Sequence, residues 1–427
     1  MGHHFQFADL WGDSMRILFV TPYPPSRIRV RSYGFLVQLQ AEHEVTVVTQ
    51  CASQQELADA DALQKQGYEV VIVPESKRQA ILRSGMALLS SYPLQVAYAH
   101  SQRFTQAVRD LCGSRSFDVV HVEHLRGMAS MEPLAQFQPL VWDAVDCISL
   151  LFKQAMLGGP NFSVRAVARL EHKRTRLYEA ALLGKLRRVV VTSERDRAAM
   201  IELRRTQDHT SGDDELGTGI AILPNGVDLE YFRPVNQQRR RFNLVFSGKM
   251  SYHANAATAI YLYQQIMPLI WHQQPEATLT IVGSNPPAAI RRLASDPRVE
   301  VTGYVDDIRP YLARAEVMLS PMVYSVGIQN KVLEAMALGT PVVVAAQAAA
   351  ALTARPGQEL LVAESPKGFA EATLRLIEND ELRTELSQKG RSYVEQQHNW
   401  RVVTDRLVDV YRQAIAATAV TGAPGHR

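Results

Sequence analysis

The stretch that decides the fold runs from Val317 to Ala345 and reads VMLSPMVYSVGIQNKVLEAMALGTPVVVA. It begins and ends with short, mostly aliphatic runs, Val317–Ser320 and Pro341–Ala345, which have the length and composition of buried strands. Between them, the spacing predicts a helix that begins near Ile328 and stops at Gly339, a residue type that favours helix C-termini. A strand, a helix and a second strand in this order predict a βαβ unit with parallel strands.

The same alternation extends over the whole chain. Most strand candidates are continuous runs of Val, Ile and Leu, which is typical of parallel strands covered by helices on both faces. Because the strand–helix pattern occurs in both halves, we predict an α/β protein with two Rossmann-like, doubly wound sheets. The strand candidates are Arg16–Thr21, Glu44–Thr49, Glu69–Val73, Asp118–Val122, Pro139–Trp142, Arg188–Thr192, Asn243–Ser247, Thr278–Val282, Val299–Val301, Val317–Ser320 and Pro341–Ala345.

The two halves are expected to join near Phe232–Arg241, where a proline and a polar run interrupt both patterns. This predicts an N-terminal domain over residues 15–232 and a C-terminal domain over residues 233–396, followed by a last segment at residues 397–427. Residues 1–14 lack the basic start and apolar core of a signal peptide, so we expect a disordered N-terminal extension.

Composition excludes several classes of protein. Hydrophobic residues make up 46% of the 427 residues, which excludes wholesale disorder. The net charge of +3 is too small to indicate a nucleic-acid partner, and no apolar run approaches the roughly 18 residues of a membrane-spanning helix. Cys51, Cys112 and Cys147 are too far apart in sequence to suggest a disulfide framework or a zinc site, so the expected location is the cytoplasm.

One loop and the helix after it have features of a phosphate site. Gly327 allows close backbone approach, and the helix start at Ile328–Asn330 presents unpaired N–H groups with the positive end of the helix dipole. Lys331 and Glu334 are three positions apart and share one helix face, where they can contact a diphosphate and ribose hydroxyls respectively. An ordinary surface Lys–Glu pair fits the same spacing.

Other strand ends of the second half carry glycines. Gly248 and Lys249 follow a strand candidate, so Lys249 can reach a phosphate that the Ile328–Asn330 helix start also contacts. Gly283 and Gly303 follow two further strands, which is consistent with close approach of a ligand to the backbone. A solvated loop lysine and ordinary turn glycines are the alternative interpretation.

These segments carry a family resemblance. In chain order they are ILPNGVD at 222–228, FRP at 232–234, VFSG at 245–248, LTIVG at 279–283, VTGYV at 301–305 and KVLEAMALGTPVV at 331–343. They resemble the group 1 (family 4) retaining glycosyltransferases, and the match runs from about Met15 to Trp400. The resemblance implies a GT-B fold, in which two Rossmann-like domains face each other across a cleft. The C-terminal domain would bind a nucleotide-sugar, the N-terminal domain the acceptor, and a C-terminal helix would return to the N-terminal domain.

The resemblance also implies which residues bind the donor. The implied residues are Gly248, Lys249, Gly283, Tyr304, Gly327, Ile328, Gln329, Asn330, Lys331 and Glu334. Lys331 would act in catalysis by stabilising the departing diphosphate, where negative charge develops. No metal and no further cofactor is expected beside the nucleoside diphosphate sugar, because basic groups and a helix N-terminus neutralise that diphosphate.

Two positions depart from the family pattern. Members commonly carry Glu-x7-Glu, and Val326 stands in place of the first glutamate while Glu334 matches the second. Sugar selection is therefore expected to rest on the backbone groups of Gly327–Asn330. Asn255 stands near the place where a second lysine is usual, so one of two phosphate contacts is in question.

The N-terminal half offers candidates for the acceptor. Arg27, Arg29 and Arg31 follow the first strand, where alternating guanidinium groups can hold an anionic acceptor such as a lipid diphosphate. The segment Ala80–Ala99 mixes large apolar residues with arginine and predicts a peripheral membrane contact. Ordinary basic surface around a buried helix is the alternative for both patterns.

The end of the strand candidate Asp118–Val122 and the two residues after it include three titratable residues, His121, Glu123 and His124. Family members often place a histidine near this strand end, close to the reacting sugar. Glu123 or His124 is therefore expected to orient the acceptor or donor sugar, and the sequence leaves open which one projects. For His121 a structural role fits equally well. As a metal site the group is weak, because His121 and Glu123 share a strand face but His124 does not.

The expected function is that of a hexosyltransferase-type enzyme, which moves a sugar from a nucleoside diphosphate sugar to a glycan or lipid-linked acceptor with retention. The family context suggests exopolysaccharide or surface-glycan synthesis in the cytoplasm, including the inner face of the membrane. A catalytically silent nucleotide-sugar or glycan-binding protein and a nucleotide-sugar epimerase are the alternatives. A dinucleotide-dependent dehydrogenase is disfavoured, because TPYPP at 21–25 replaces the required GxGxxG.

Overall fold

The computed structural model describes residues 14–131, 139–158, 162–207, 217–234, 238–322 and 328–420. The chain forms two compact units: the first combines the chain up to Leu223 with the part from Val403 onward, and the second is Pro224–Val402. The second unit begins earlier than the residue 233 expected from the sequence, because the backbone N–H of Val227 donates to the carbonyl oxygen of His398 at 2.6 Å. The predicted N-terminal extension lies outside the described residues except for Ser14.

The first unit is built on a parallel sheet of seven strands. Its strands are β1 Arg16–Thr21, β2 Glu44–Cys51, β3 Glu69–Pro74, β4 Val119–Glu123, β5 Leu140–Val145, β6 Arg188–Val191 and β7 Ile220–Ile222. Their order is β3-β2-β1-β4-β5-β6-β7, so the direction of winding reverses between β1 and β4. Open α/β sheets bind ligands at the carboxyl ends of the strands beside such a reversal.

The second unit contains a parallel sheet of six strands. These are β8 Asn243–Ser247, β9 Thr278–Val282, β10 Val299–Gly303, β11 Val317–Ser320, β12 Val342–Ala345 and β13 Leu361–Ala363. The order β10-β9-β8-β11-β12-β13 reverses between β8 and β11. The two doubly wound parallel sheets confirm the predicted fold class, and each sheet ends in a strand, β7 or β13, that the sequence patterns did not reveal.

Helices flank these strands along the chain. In the first unit they are α1 Val30–Leu39, α2 Gln54–Lys65, α3 Lys77–Met86, α4 Leu94–Ala99, α5 Gln102–Ser114, α6 His124–Met131, α7 Ile148–Gly158, α8 Phe162–Lys185 and α9 Glu194–Arg205. In the second they are α10 His253–Tyr261, α11 Met267–Gln273, α12 Ala288–Arg291, α13 Arg309–Arg314, α14 Asn330–Ala337, α15 Ala346–Ala349, α16 Pro366–Glu378 and α17 Asp380–Gln397. The last helix, α18 Trp400–Val420, begins in the second unit and continues in the first.

Successive residues of one strand pack into different cores, which explains why these strands are continuous apolar runs. Leu244 and Phe246 of β8 pack into a core that contains Phe369 of α16, whereas Val245 between them packs into a second core with Leu333 of α14. Both faces of the strand are therefore buried under helices, as a run without polar alternation requires. Within the described parts of the chain, no helix is long and apolar enough to cross a membrane.

Candidate functional sites

Two glycines meet where the neighbouring strands β8 and β9 end. Gly248 has a φ of +152° and Gly283 a φ of +151°, conformations that residues with a side chain rarely adopt. A Cβ atom on Gly283 would lie 1.8 Å from the carbonyl oxygen of Gly248. A Cβ atom on Gly248 would lie 2.7 Å from Nδ2 of Asn255 and 3.0 Å from Nζ of Lys331. The absence of a side chain at Gly248 therefore leaves room for Asn255 and Lys331, and its absence at Gly283 lets the ends of β8 and β9 approach closely.

We expect Gly283→Ala to lower the free energy of unfolding by roughly 3 kcal/mol or more, because the new methyl group overlaps backbone atoms of a paired strand. Gly113→Ala is the matched control, since a Cβ atom there would meet nothing within 4 Å. The control is expected to be neutral or to stabilise by up to about 1 kcal/mol, because Gly113 lies in helix α5. Urea unfolding of both variants measures the difference, and equal midpoints would contradict the steric argument.

Lys331 is held in one position at the start of α14. Its Nζ donates to Oδ1 of Asn255 at 2.6 Å and lies 4.6 Å from the centroid of the Phe246 ring. Burial lowers the pKa of Lys331 to about 8, against an opposing effect of the Glu334 carboxylate. An ammonium group has three donors, so Lys331 keeps hydrogen-bonding capacity for an anionic oxygen after Asn255 has taken one.

Asn255 connects Lys331 to the loop after β8. Its Nδ2 donates to the carbonyl oxygen of Lys249 at 3.0 Å, while its Oδ1 accepts from Lys331. Asn255 therefore orients the lysine of α14 and brings no charge of its own. In the sequence, Asn255 stood out only as a departure from the family pattern. The sequence did not show its contact with Lys331, because the two residues are 76 positions apart.

Glu334 lies one helical turn after Lys331 on α14, as the spacing predicted. Burial raises the pKa of the Glu334 carboxyl to about 7, and the Lys331 ammonium acts in the opposite direction. A cation and a carboxyl group are thus placed side by side at the carboxyl edge of the second sheet, next to the reversal between β8 and β11.

The helix that carries these two residues begins where the sequence indicated. Gln329 is the residue before its first turn, Asn330 opens it, and both are partly buried together with Ile328. Oδ1 of Asn330 accepts a hydrogen bond from Nδ2 of Asn225 at 3.1 Å. Gly327 and Val326 lie outside the described residues.

The motif Pro224–Asp228 is fixed against the end of the second unit. The carbonyl oxygen of Asn225 lies 2.7 Å from Nδ1 of His398, and a Cβ atom on Gly226 would lie 2.5 Å from the Trp400 ring. Gly226 thus allows the Trp400 ring to pack closely against the backbone, and Asn225 connects the motif to the start of α14. The sequence showed the motif but not these partners.

The remaining donor candidates lie at the surface of the same sheet edge. Lys249 follows β8 and is exposed. Tyr304 follows β10, and 75% of its surface is exposed. Both side chains are accessible to a ligand.

In the first unit, Arg31 has a position that the sequence did not predict. Its Nε and Nη2 donate to the two carboxylate oxygens of Asp143 at 2.7 and 3.0 Å, and its Nη1 donates to the carbonyl oxygen of Leu223 at 3.0 Å. Arg31 is 6% exposed and Asp143 is fully buried. The expectation that Arg31 is open to an acceptor therefore requires correction, because the buried carboxylate of Asp143 takes it as its counter-charge.

The other two arginines of this loop lie nearer the solvent. Arg29 donates from Nη2 to Oε1 of Glu56 at 3.0 Å, and its guanidinium lies 4.2 Å from the centroid of the Tyr23 ring. Arg27 is exposed. Of the three predicted acceptor residues, Arg27 and Arg29 are the ones that a ligand could reach.

Glu123 and His124 stand at the carboxyl end of β4, beside the reversal of the first sheet. Burial, reinforced by Asp143 and opposed by Arg31, raises the pKa of Glu123 to about 7. Burial lowers the pKa of His124 to about 4, so its ring is neutral at physiological pH. His124 also has a φ of +64°, a strained conformation of the kind that is concentrated at functional sites.

His121 lies below these residues, fully buried in the sheet. Its ring stacks on Phe19 with 4.3 Å between centroids, and its Nδ1 lies 2.9 Å from the hydroxyl oxygen of Tyr411 in α18. Burial lowers the pKa of His121 to about 4. These contacts favour the structural role. The sequence showed no sign of the contact between Tyr411 and His121, because the two residues are 290 positions apart.

Comparison with known proteins shows which family one part of the chain resembles. Residues 241–379 match the family model described as glycosyl transferases group 1. This part of the chain thus resembles the group 1 glycosyltransferases. It contains Gly248, Lys249, Gly283, Lys331 and Glu334, so the glycine pair and the lysine–glutamate pair described above lie within it.

Curated relatives of the chain are named for different molecules. The chain is 28% identical over 210 residues to the GDP-mannose-dependent monoacylated alpha-(1-6)-phosphatidylinositol monomannoside mannosyltransferase of Corynebacterium glutamicum, covering 44% of this chain and 55% of the relative. It is 30% identical over 127 residues to the lipopolysaccharide core biosynthesis glycosyltransferase LpsE of Rhizobium meliloti, covering 28% of this chain and 37% of the relative. The chain thus spans about half the length of the first relative, and less of the second.

Solved structures resemble this chain over more than nine tenths of its length. HepE of Anabaena, solved in complex with UDP, superposes with a TM-score of 0.64 at 14% identity, covering 93% of this chain and 100% of that one. Sucrose-phosphate synthase of Thermosynechococcus elongatus gives a TM-score of 0.65 at 18% identity, covering 95% of this chain and 100% of that one. With its two parallel sheets, the chain has the GT-B fold.

Among the described residues, no three His, Cys, Asp or Glu side chains gather in a way that could hold a metal ion.

Proposed function

We propose that this protein transfers a sugar from a nucleoside diphosphate sugar to a glycan or lipid-linked acceptor, with retention of configuration, in exopolysaccharide or other surface-glycan synthesis. The observation that carries the proposal is the oriented, partly buried Lys331 at the start of α14, within the part of the chain that resembles the group 1 glycosyltransferases.

The leaving diphosphate is the group that this arrangement suits. When the bond between the sugar and the diphosphate breaks, negative charge develops on the phosphate oxygens, and fixed positive groups lower the energy of that state. Lys331 and the first N–H groups of α14 would supply this stabilisation, since they are oriented before the reaction. Lys249 lies at the neighbouring strand end and would add a second cation.

The nucleoside would be held by the next turn of the same helix. The carboxylate of Glu334 accepts hydrogen bonds and would receive them from ribose hydroxyls. Because Glu334 shares its face with Lys331, one helix would bind both the diphosphate and the ribose. Exposed Tyr304 would contribute a surface for the donor.

In the first unit, Glu123 and His124 would orient the reacting sugar or the acceptor. Nδ1 of His124 accepts a hydrogen bond from the backbone N–H of Arg126 at 3.2 Å, so Nε2 of the neutral ring carries the proton and would donate to an oxygen of the sugar. Glu123 is a partly buried carboxyl group whose pKa burial raises to about 7. Neither residue is assigned the role of a covalent nucleophile.

The relatives support the substrate classes. The corynebacterial relative is named for GDP-mannose and a phosphatidylinositol mannoside, and the rhizobial one for the lipopolysaccharide core. The HepE structures hold UDP, UDP with glucose, and UDP-glucose. The corynebacterial name and the HepE complexes thus support a nucleoside diphosphate sugar as donor, and the two curated names support a lipid-linked or glycan acceptor.

A panel of UDP- and GDP-sugars tests the proposal. We expect the sugars of one base to raise the unfolding temperature by roughly 5–10 °C when present at about 100 times their dissociation constant. Mass spectrometry should then detect transfer of the stabilising sugar, with release of the nucleoside diphosphate. Stabilisation without any product would favour a silent nucleotide-sugar-binding protein, and a panel without any stabilising donor would refute the proposal.

A further inference from the structure

The first unit exposes large apolar side chains on two segments that are distant in sequence. On α8, Phe162, Leu170 and Leu177 recur at helical spacing and form one stripe, and Phe162 is 79% exposed. Between α3 and α4, Leu88 and Leu89 form part of a short 3₁₀ turn, and Leu89 is 96% exposed. We call these five side chains the apolar patch.

Hydrogen bonds hold the two segments side by side. Nη2 of Arg174 in α8 donates to the carbonyl oxygen of Leu88 at 2.9 Å. Oε2 of Glu171 accepts from the backbone N–H of Leu94 at 3.0 Å. Between Ser90 on one side and α8 on the other lies an open groove of about 560 Å³, which Leu170 and Leu177 line. The groove therefore forms only where the two segments meet.

The border of the patch is strongly basic. Arg169, Lys173 and Arg176 are exposed along α8 beside the apolar stripe. The helix contains two acids, Glu171 and Glu179, and both are buried. The exposed face of α8 thus combines apolar side chains with positive charge and carries no exposed carboxylate.

We propose that the apolar patch docks the first unit onto the surface of a bilayer that contains anionic lipids. The leucines and Phe162 would enter the boundary between headgroups and acyl chains, while Arg169 and Lys173 would contact lipid phosphates through their long side chains. The positive charge favours an anionic bilayer over a second copy of the chain. A symmetric dimer through the patch would bring two identical basic borders together, and these would repel each other. The inference rests on the surface alone and is independent of the proposed sugar transfer.

Co-sedimentation of the full chain with vesicles tests this inference. The vesicles consist of phosphatidylcholine alone or of equal parts phosphatidylcholine and phosphatidylglycerol. We expect binding to the anionic vesicles, weakened by salt because the basic border contributes electrostatically. The double variant Leu89→Ser/Phe162→Ser should lower the partition coefficient by about tenfold or more, since both side chains would leave the boundary layer. Arg169→Gln/Lys173→Gln should lower it by roughly fivefold per charge, and only on anionic vesicles.

Matched controls lie in the second unit. Leu269→Ser and Lys367→Gln also replace exposed side chains and should leave vesicle binding unchanged. All these positions are exposed, and thermal unfolding of each variant verifies that the fold is retained. Equal binding to neutral vesicles, or unchanged binding of the double variants, would overturn the proposal. A dimer that Leu89→Ser/Phe162→Ser dissociates, without vesicle binding, would overturn it in favour of a second copy. Donor stabilisation measured on the same variants keeps these outcomes separate from the sugar-transfer proposal.

Discussion

Asp143→Ala is expected to lower the free energy of unfolding by about 3–5 kcal/mol, because it leaves the buried Arg31 guanidinium without its counter-charge. The carboxylate of Asp143 accepts two hydrogen bonds from Arg31, and water cannot replace it in a site where Arg31 is 6% exposed. Asp143 also accepts from the backbone N–H of Val145 at 3.2 Å, so β5 loses a second contact. Urea unfolding monitored by circular dichroism measures the loss.

Two further variants make this result specific. Glu202→Ala removes an exposed ion pair with Arg205, and we expect it to cost under about 1 kcal/mol. The double variant Arg31→Met/Asp143→Leu replaces both charges by apolar groups, so it should lose much less than Asp143→Ala alone. If the single and double variants were equally unstable, the loss would stem from packing and not from the unpaired charge.

Lys331→Ala is expected to reduce turnover at saturating donor by about 10²–10³-fold, the size of effect seen when one oriented stabilising group is removed from a developing negative charge. Lys367→Ala is the control, since Lys367 is an exposed lysine of the same unit that pairs with Glu371. Single-turnover kinetics with the donor found in the sugar panel measures both. Unchanged turnover in Lys331→Ala would remove the diphosphate role.

The pKa of Lys331 adds a pH signature to this prediction. The lysine binds a diphosphate only in its protonated form, and its pKa of about 8 means that protonation is lost as the pH rises through that value. We therefore expect kcat/KM for the donor to fall above about pH 8, far below the ordinary range of a lysine. In Lys331→Arg this alkaline limb should disappear from the accessible range, because a guanidinium stays charged. An identical limb in both proteins would show that another group titrates.

Local patterns predicted the fold class and most of its strands. The run from Val317 to Ala345 forms a strand, a helix and a strand as expected, since uninterrupted aliphatic runs and helix end signals act over a few residues. The same holds for Lys331 and Glu334, whose common face depends only on helical spacing. The two strands that escaped prediction, Ile220–Ile222 and Leu361–Ala363, have three residues each, too short for a periodic signal.

The partners of the functional side chains depended on how the sheets bring distant segments together. The sequence showed Arg31, Asn255 and His121 as isolated residues, and the tertiary structure paired them with Asp143, Lys331 and Tyr411 across separations of 112, 76 and 290 positions. The apolar patch likewise forms only where the segment after α3 meets α8. Periodicity and end signals are properties of neighbouring residues, so the sequence by itself determined the elements and their order. Hydrogen bonds and burial between distant residues depend on the order of strands in each sheet, so only the tertiary structure decided which candidate was buried and which remained open to a ligand.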